Sequence, residues 1–522
     1  MPVRRSVCGA SRFSEAISIM TKTQRATVTS VATLSFLLTL SFTGCQTAPV
    51  SNAPVANVNA NASNVNATVA TNTNASNTNT GTNGADSQPV TLAVLDALLA
   101  DEAFARDLKS KAQLSDEQLD ALRKAAKDER ANLSESNAGA QPGSTQSATA
   151  RATEKIKAAV GEEKANHVLD LARERWASGG ESEGASTSAS ATTTNKPNAV
   201  PGDSRIVVNA PAFRMDVFEQ GRLVKSYKVG IGYPEFPLPA GMRKASNIIF
   251  NPTWTPPDEP WVEAGKSKVK VGETIEAGSK LNPLGPIKIP IGSPSLIHGG
   301  KQPSRLGEFA SHGCVGLTNE LVQDVTLEIA RLGGTDLTAE QIKAYAKNPT
   351  ETKSVKLDHA VPVELRYETI VVTDDGVLHI YRDVYDRGTN TEENLRRVLE
   401  ANGVSFDQLD ETQRTQITAA IQQMAHDALG NPAEGDGTAR ANTNATNANT
   451  NKSKSAANAN ANAVKPDAQG GHVTRNVKGQ KEVTFEIAAL KGKGYPAPVG
   501  GNFDAGNKSK QTVTAPKKGK HN

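Results

Sequence analysis

Ser311-His312-Gly313-Cys314-Val315-Gly316-Leu317 decides how this chain is read, together with His298-Gly299-Gly300 a short way upstream. The chain has three cysteines. Cys8 lies in front of an export signal and Cys45 at its end, so Cys314 is expected to be the lone thiol of the mature protein. Exported proteins usually pair their cysteines or do without them. A single thiol flanked by glycine and two histidines therefore reads as a nucleophile rather than as core filling.

A free thiol with a pKa of ~8.5 is only a few per cent ionised at neutral pH, and an imidazole that accepts its proton can hold a thiolate–imidazolium pair. His312, two residues before Cys314, would share a face with it on an extended segment, although a bend at Gly313 works against that. His298 ends a predicted strand, and a sheet can bring it alongside. Gly313 lets a substrate approach the backbone, and the amides around Gly313 and Cys314 are candidate oxyanion donors. Zinc is the chemical rival, but it needs a fourth group or a water, and the chain offers no CxxC. An inert buried cysteine is the other alternative. His167, His359 and His379 read as structural.

Residues 203–388 around this motif read as mostly β with a few helices. Ile206–Val208, Met215–Phe218 and Leu223–Val229 are short strands, and Ile287–Ile291 and Ser295–Ile297 lead into His298. Thr318 or Asn319 can cap a helix to about Leu332, and Thr338-Ala339-Glu340-Gln341 is a capping box. Val361–Thr373 and Val377–Tyr381 flank an Asp-Gly turn and predict a hairpin.

These residues resemble the L,D-transpeptidase (YkuD-type) catalytic domain. The resemblance rests on His298-Gly299 followed by Ser311-His312-Gly313-Cys314-Val315, and extends to Val229-Gly230-Ile231-Gly232, Asn251–Pro257, Val361–Tyr367 and Asp383-Val384-Tyr385. It implies that Cys314 attacks the carbonyl between the third and fourth stem-peptide residues of peptidoglycan. The terminal D-alanine leaves, and an acceptor amine, typically of diaminopimelate, resolves the thioester into a 3–3 cross-link. His298 then matches the general base, Gly299 lies where a residue orients that imidazole, and His312 shapes the site. No metal or organic cofactor is implied. Many members carry Arg two residues after the Cys, where this chain has Gly316. Lys301, Arg305 or Arg243 is expected to replace that cation in holding substrate, beside Ser311, and Trp254 and Trp261 are candidate cleft residues.

The flanks differ in composition. Hydrophobic content is 37% and aromatic content 4%, too little for a chain folded throughout, and Asn/Ala/Thr/Ser tracts account for the deficit. Residues 1–45 read as a secretion signal: Lys22 and Arg25, an apolar run from Val28 to Leu40, then Phe42-Thr43-Gly44-Cys45, which resembles a lipoprotein signal acylated at Cys45. Gln46, where an Asp would favour inner-membrane retention, points to the outer membrane. Residues 46–88 are expected to be a disordered linker spanning about 35 Å r.m.s.. Residues 89–177 form a helical module with a capping box at Ser115–Gln118, 178–202 a second linker, and 389–430 a helical segment. Residues 431–522 read as a disordered basic tail with a strand-like island at Val483–Ile487. The net charge of +3 gives no argument for nucleic acid.

The expected protein is thus an exported, multidomain, lipid-anchored envelope enzyme whose partners are stem peptides and a membrane. An L,D-carboxypeptidase and a protein-to-peptidoglycan attachment enzyme would use the same thioester, and a non-catalytic wall-binding lipoprotein is the alternative from another class.

Overall fold

A computed structural model describes residues 88–133, 144–179, 196–255, 273–425, 473–477, 479–500 and 502–503. The signal, Cys45, the linker to residue 87 and Trp261 lie outside these residues. No helix of the described residues is long and apolar enough to cross a membrane.

The first described segment is helical: α1 (Leu92–Leu99), α2 (Glu102–Lys111), α3 (Asp116–Asn132), α4 (Thr145–Val160) and α5 (Glu162–Ser178). Ser115 and Gln118 make both bonds of the capping box at α3. The apolar pattern over 151–177 is divided between α4 and α5 and is not one continuous helix. The break is at Gly161, whose φ of +87° no helix accommodates. Apolar stripes of all five helices meet in a core that includes Leu95, Phe104, Leu119, Ile156, Val168 and Trp176.

The mostly-β domain follows. Its strands are β1 (Arg205–Asn209), β2 (Arg214–Glu219), β3 (Arg222–Lys228), β4 (Ile231–Gly232), β5 (Gly241–Phe250), β6 (Ile287–Pro290), β7 (Leu296–His298), β8 (Phe309–Ser311), β9 (Val315–Gly316) and β10 (Lys353–Arg366). Eight of them form one mixed sheet in the order β3-β2-β1-β10-β5-β6-β7-β9, and β4 pairs in parallel with β8. Helices α6 (Asn319–Leu332), capped by the Thr318 hydroxyl, and α7 (Ala339–Lys347) carry the chain back to β10. The α6 residues Val322, Val325 and Ile329 share the core of this sheet with Ile248, Ile289, Ile297 and Val363.

The expected hairpin is shorter than the sequence suggests. β10 ends at Arg366, and β11 (Ile370–Val372) pairs separately with β12 (Val377–Tyr381). The chain turns between them because the Asn209 side chain holds both Glu368 N and Glu368 O at 2.9 Å, and Tyr367 turns inward to Asp383. Helices α8 (Glu392–Ala401) and α9 (Glu411–Met424) pack on this second sheet through Leu395, Leu399, Ile417 and Met424.

The described part of the expected tail is folded. β13 (Glu482–Glu486) adds to β12 as the third strand of the second sheet, with Val483 and Phe485 inside its core. Val499 and Asn502 then cover the outer edge of β3: Ser226 N donates to Val499 O at 2.9 Å, and Lys228 N to Asn502 Oδ1 at 2.8 Å. The Tyr495 hydroxyl donates to the buried Asp216 carboxylate at 2.9 Å, beside Arg214. The sequence concealed this because a short alternating run amid lysines and glycines resembles a solvated tail until its partners are known. Ending the chain at residue 472 would expose Val371, Phe218 and an incompletely bonded Arg214–Asp216 pair. It should lower stability by about 5 kcal/mol or more, read as a loss of cooperative thermal unfolding by circular dichroism.

Candidate active site

The site is built on β7 and β9. These strands pair in parallel with Ile297 against Val315 and His298 against Gly316. Continuing the register back by one residue sets Leu296 against Cys314, which directly precedes β9. Side chains alternate between faces, so Ile297 and Val315 point into the core, both fully buried. His298 lies on the other face of β7, and the same alternation continued one residue before β9 puts Cys314 on that face as well. The free edge of β9 is held by Gly230, which exchanges two 2.9 Å bonds with Gly316.

The turn before Cys314 is fixed by its own hydrogen bonds. Ser311 Oγ accepts from Cys314 N at 3.0 Å and donates to Cys314 O at 2.5 Å. Ser311 is buried and occupied in this way, so it positions the thiol instead of holding substrate as expected. The Cys314 amide is committed too, which leaves Gly313 as the candidate oxyanion donor of the pair. Gly313 has φ +87°, which L side chains rarely adopt. Gly232 of β4 comes so close that a Cβ on it would lie 3.0 Å from Gly313 Cα and collide with Phe236 O.

His312 is packed into an aromatic wall. Its ring packs edge-on against Phe236 and Tyr233, with centroids 4.6 and 5.1 Å apart. No periodicity or motif marks the two aromatic residues of this wall, Tyr233 and Phe236. The wall is itself backed by the helical module: Thr91 Oγ1 donates to Glu235 O at 2.8 Å and Thr145 Oγ1 to Pro234 O at 2.7 Å.

Electrostatics follow from enclosure. Cys314 is half-buried as a residue, and desolvation of its sulfur pushes the thiol pKa up. A backbone hydrogen bond from Leu296 and the charge of Lys301 pull it back down. Burial drives His298 down to about 3, and the Lys301 charge adds to this, opposed by the carbonyls of Gly299 and Leu284. His298 Nδ1 lies 2.7 Å from Gly299 O, so that nitrogen carries the proton of the neutral ring and Nε2 keeps the lone pair. The resting pair is thus a neutral thiol and a neutral imidazole. Burial thus favours the neutral form of each group taken separately.

Of the expected substrate cations, only Lys301 lies at the site. Arg305 donates to Asn476 Oδ1 and Arg475 O at 3.0 Å and to Phe309 O, so it anchors the returning C-terminal segment. Arg243 is buried against Trp176 O and Gly292 O, joining the helical module to the sheet. Trp254 pairs with Ile275 through backbone bonds of 2.9 and 2.7 Å. Among the described residues no group of three or more His, Cys, Asp or Glu could hold a metal ion.

A half-enclosed thiol and a neutral imidazole on one face of a β-sheet define a site for nucleophilic chemistry at sulfur. Residues 203–351 match the family model described as YkuD, L,D-transpeptidase catalytic domain, and this part of the chain is recognised as that domain. Similar solved structures include a mutant L,D-transpeptidase of Enterococcus faecium (15% identity, 31% of this chain, 50% of that chain, TM-score 0.19). Others are an L,D-transpeptidase from Mycobacterium smegmatis (14%, 31%, 59%, 0.18) and L,D-transpeptidase 3 from Mycobacterium tuberculosis (15%, 31%, 60%, 0.18). The chain spans about half the length of the first of these proteins. A search of curated proteins found no match.

The depressed His298 has a stability consequence. Its folded pKa of about 3 lies below the unfolded value, so the unfolded chain takes up the proton first as pH falls. Stability contributed by the neutral ring is present above ~6.5 and declines towards pH 3 by about 1.4 kcal/mol per pH unit. His298→Gln, which cannot titrate, should show a flatter acid limb in urea melts across this window. Equal slopes for the two proteins would remove the assignment.

Proposed function

We propose that this protein is a peptidoglycan L,D-transpeptidase working through a cysteine thioester. The observation that carries the reading is the β7–β9 register, which gives the His298 ring and the Cys314 thiol one face of the sheet. The thiol proton passes to His298 Nε2 as the sulfur attacks the carbonyl between the third and fourth stem residues. Enclosure favours the neutral form of each group, so the proton transfer is best made together with the attack. The oxyanion forms near the Gly313 amide. The imidazolium returns its proton to the leaving nitrogen, D-alanine departs, and the acyl group stays on sulfur. An acceptor amine, typically of diaminopimelate, then attacks the thioester, gives its proton to His298 and forms the 3–3 cross-link, restoring the thiol.

Export fits this role, because the substrate lies outside the cytoplasm. The Cys45 signal would attach the chain to a membrane, with the outer membrane as its site, and the Asn/Ala-rich linker would let the domain reach the wall. Intact mass of the exported protein tests this: a diacylglyceryl cysteine as first residue supports it, and an unprocessed N-terminus removes it.

Incubation of the purified protein with disaccharide-tetrapeptides should yield 3–3 dimers, and Cys314→Ala should yield none. His298→Gln should lower turnover by about 10²–10⁴-fold. A product consisting of tripeptide alone would mean water is the acceptor and the enzyme is a carboxypeptidase. A thiol that neither turns over substrate nor reacts with an electrophile would leave a wall-binding protein without catalysis.

A further inference from the structure

Gly316 stands in register with His298. A Cβ on Gly316 would lie 2.8 Å from Lys301 Cγ and 3.1 Å from Lys301 Cε, closer than side chains tolerate. The Lys301 stem therefore rests on the bare backbone of residue 316. Its root is fixed as well: Lys301 N donates to Leu317 O at 3.0 Å, and Leu317 N donates to His298 O at 2.9 Å. The lysine is folded back over the strand pair that carries the imidazole and the thiol. Its charge bears on both His298 and Cys314. Arg305 and Arg243, the other cations considered for this role, are held elsewhere.

We propose that Lys301 binds the carboxylate of an acyl donor whose leaving group is a single amino acid, and that glycine at 316 is the space its stem requires. This assignment rests on the acyl-transfer reading above. When one residue leaves, its free carboxylate is two bonds beyond the scissile nitrogen, so it stays close to the sulfur throughout the attack. A half-enclosed ammonium on a four-carbon stem reaches such a group as a point charge, and low local polarity strengthens the attraction. The same cation disfavours a standing imidazolium, which keeps His298 ready to accept the thiol proton. A donor extended or amidated at that end lacks the anion and leaves the ammonium without this partner, so Lys301 would select for free-acid termini.

The full chain is assayed with a tetrapeptide donor bearing a free C-terminal carboxylate and with its carboxamide. The wild type should favour the acid in kcat/KM by about ten- to a hundredfold, the worth of one charged hydrogen bond. Lys301→Met should abolish that preference, mainly through KM for the acid, and Lys301→Arg should retain part of it. Gly316→Ala keeps the lysine but pushes its stem away, so the acid-to-carboxamide ratio should fall as in Lys301→Met. Thermal melts and iodoacetamide labelling of Cys314 identify any variant that has merely misfolded. An active wild type with a Lys301→Met variant of unchanged preference sinks this assignment alone. A wild type that turns over neither donor sinks the acyl-transfer reading and this assignment with it.

Discussion

The parallel pairing of β7 with β9 is the constraint on which the rest of the molecule depends. A slip of one residue would turn Cys314 into the core and bring Val315 to the surface. The slip is opposed from both sides of β9. Ile297 and Val315 are fully buried on the core face, and Gly230 closes two 2.9 Å bonds on the far edge. A strand of only two residues would be marginal by itself. It is held here because His298, Lys301 and Gly230 all bond to it or its immediate continuation, and because α6 starts three residues later with a capped end.

Enclosure sets the chemistry of the pair held in that register. Burial moves the thiol and the imidazole in opposite directions, each towards its neutral form. The two shifts have one cause, and a single cation, Lys301, offsets the first while deepening the second. Burial that raises a thiol pKa also lowers its thiolate fraction, and with it the susceptibility of the sulfur to oxidation.

Much of this was legible in the sequence, because motif chemistry and local patterning are short-range. The His298/Cys314 pair, the capping boxes at Ser115 and Thr338, and the runs that became β1, β2, β3, β6 and β7 all follow from residues within a few positions of one another. What stayed hidden depends on distant partners. Arg305 looked like a substrate cation because it is near the motif, yet its guanidinium is bonded about 170 residues away in sequence, at Arg475 and Asn476. Ser311 looked like a substrate contact until the tightness of the 311–314 turn showed its hydroxyl in use. The aromatic wall of Tyr233 and Phe236 carries no signature, since Pro and Gly punctuation says where the chain turns and not what it faces.

The C-terminal return shows why the family span alone is an incomplete account of the domain. Residues 203–351 omit β10, which lies between β1 and β5 in the centre of the sheet, and omit the segment that covers its β3 edge. Closing a chain of some 47 residues between Ala425 and Val473 costs on the order of 3 kcal/mol even for a random coil. Burying Val473, Val477, Phe485, Leu490 and Tyr495 returns more than that, at about 1.5–3 kcal/mol for each large apolar side chain. The returning segment also satisfies charges that the sheet cannot. Thr474 donates to the buried Glu235, whose carboxyl burial has pushed up to about 7, and Lys481 meets Glu308. Glu235 adjoins Phe236 and Glu308 adjoins Phe309, so both anchor points are one residue from side chains packed near the nucleophile turn. The return therefore does more than protect an edge: it fixes, from outside the motif, the two loops between which the thiol is presented.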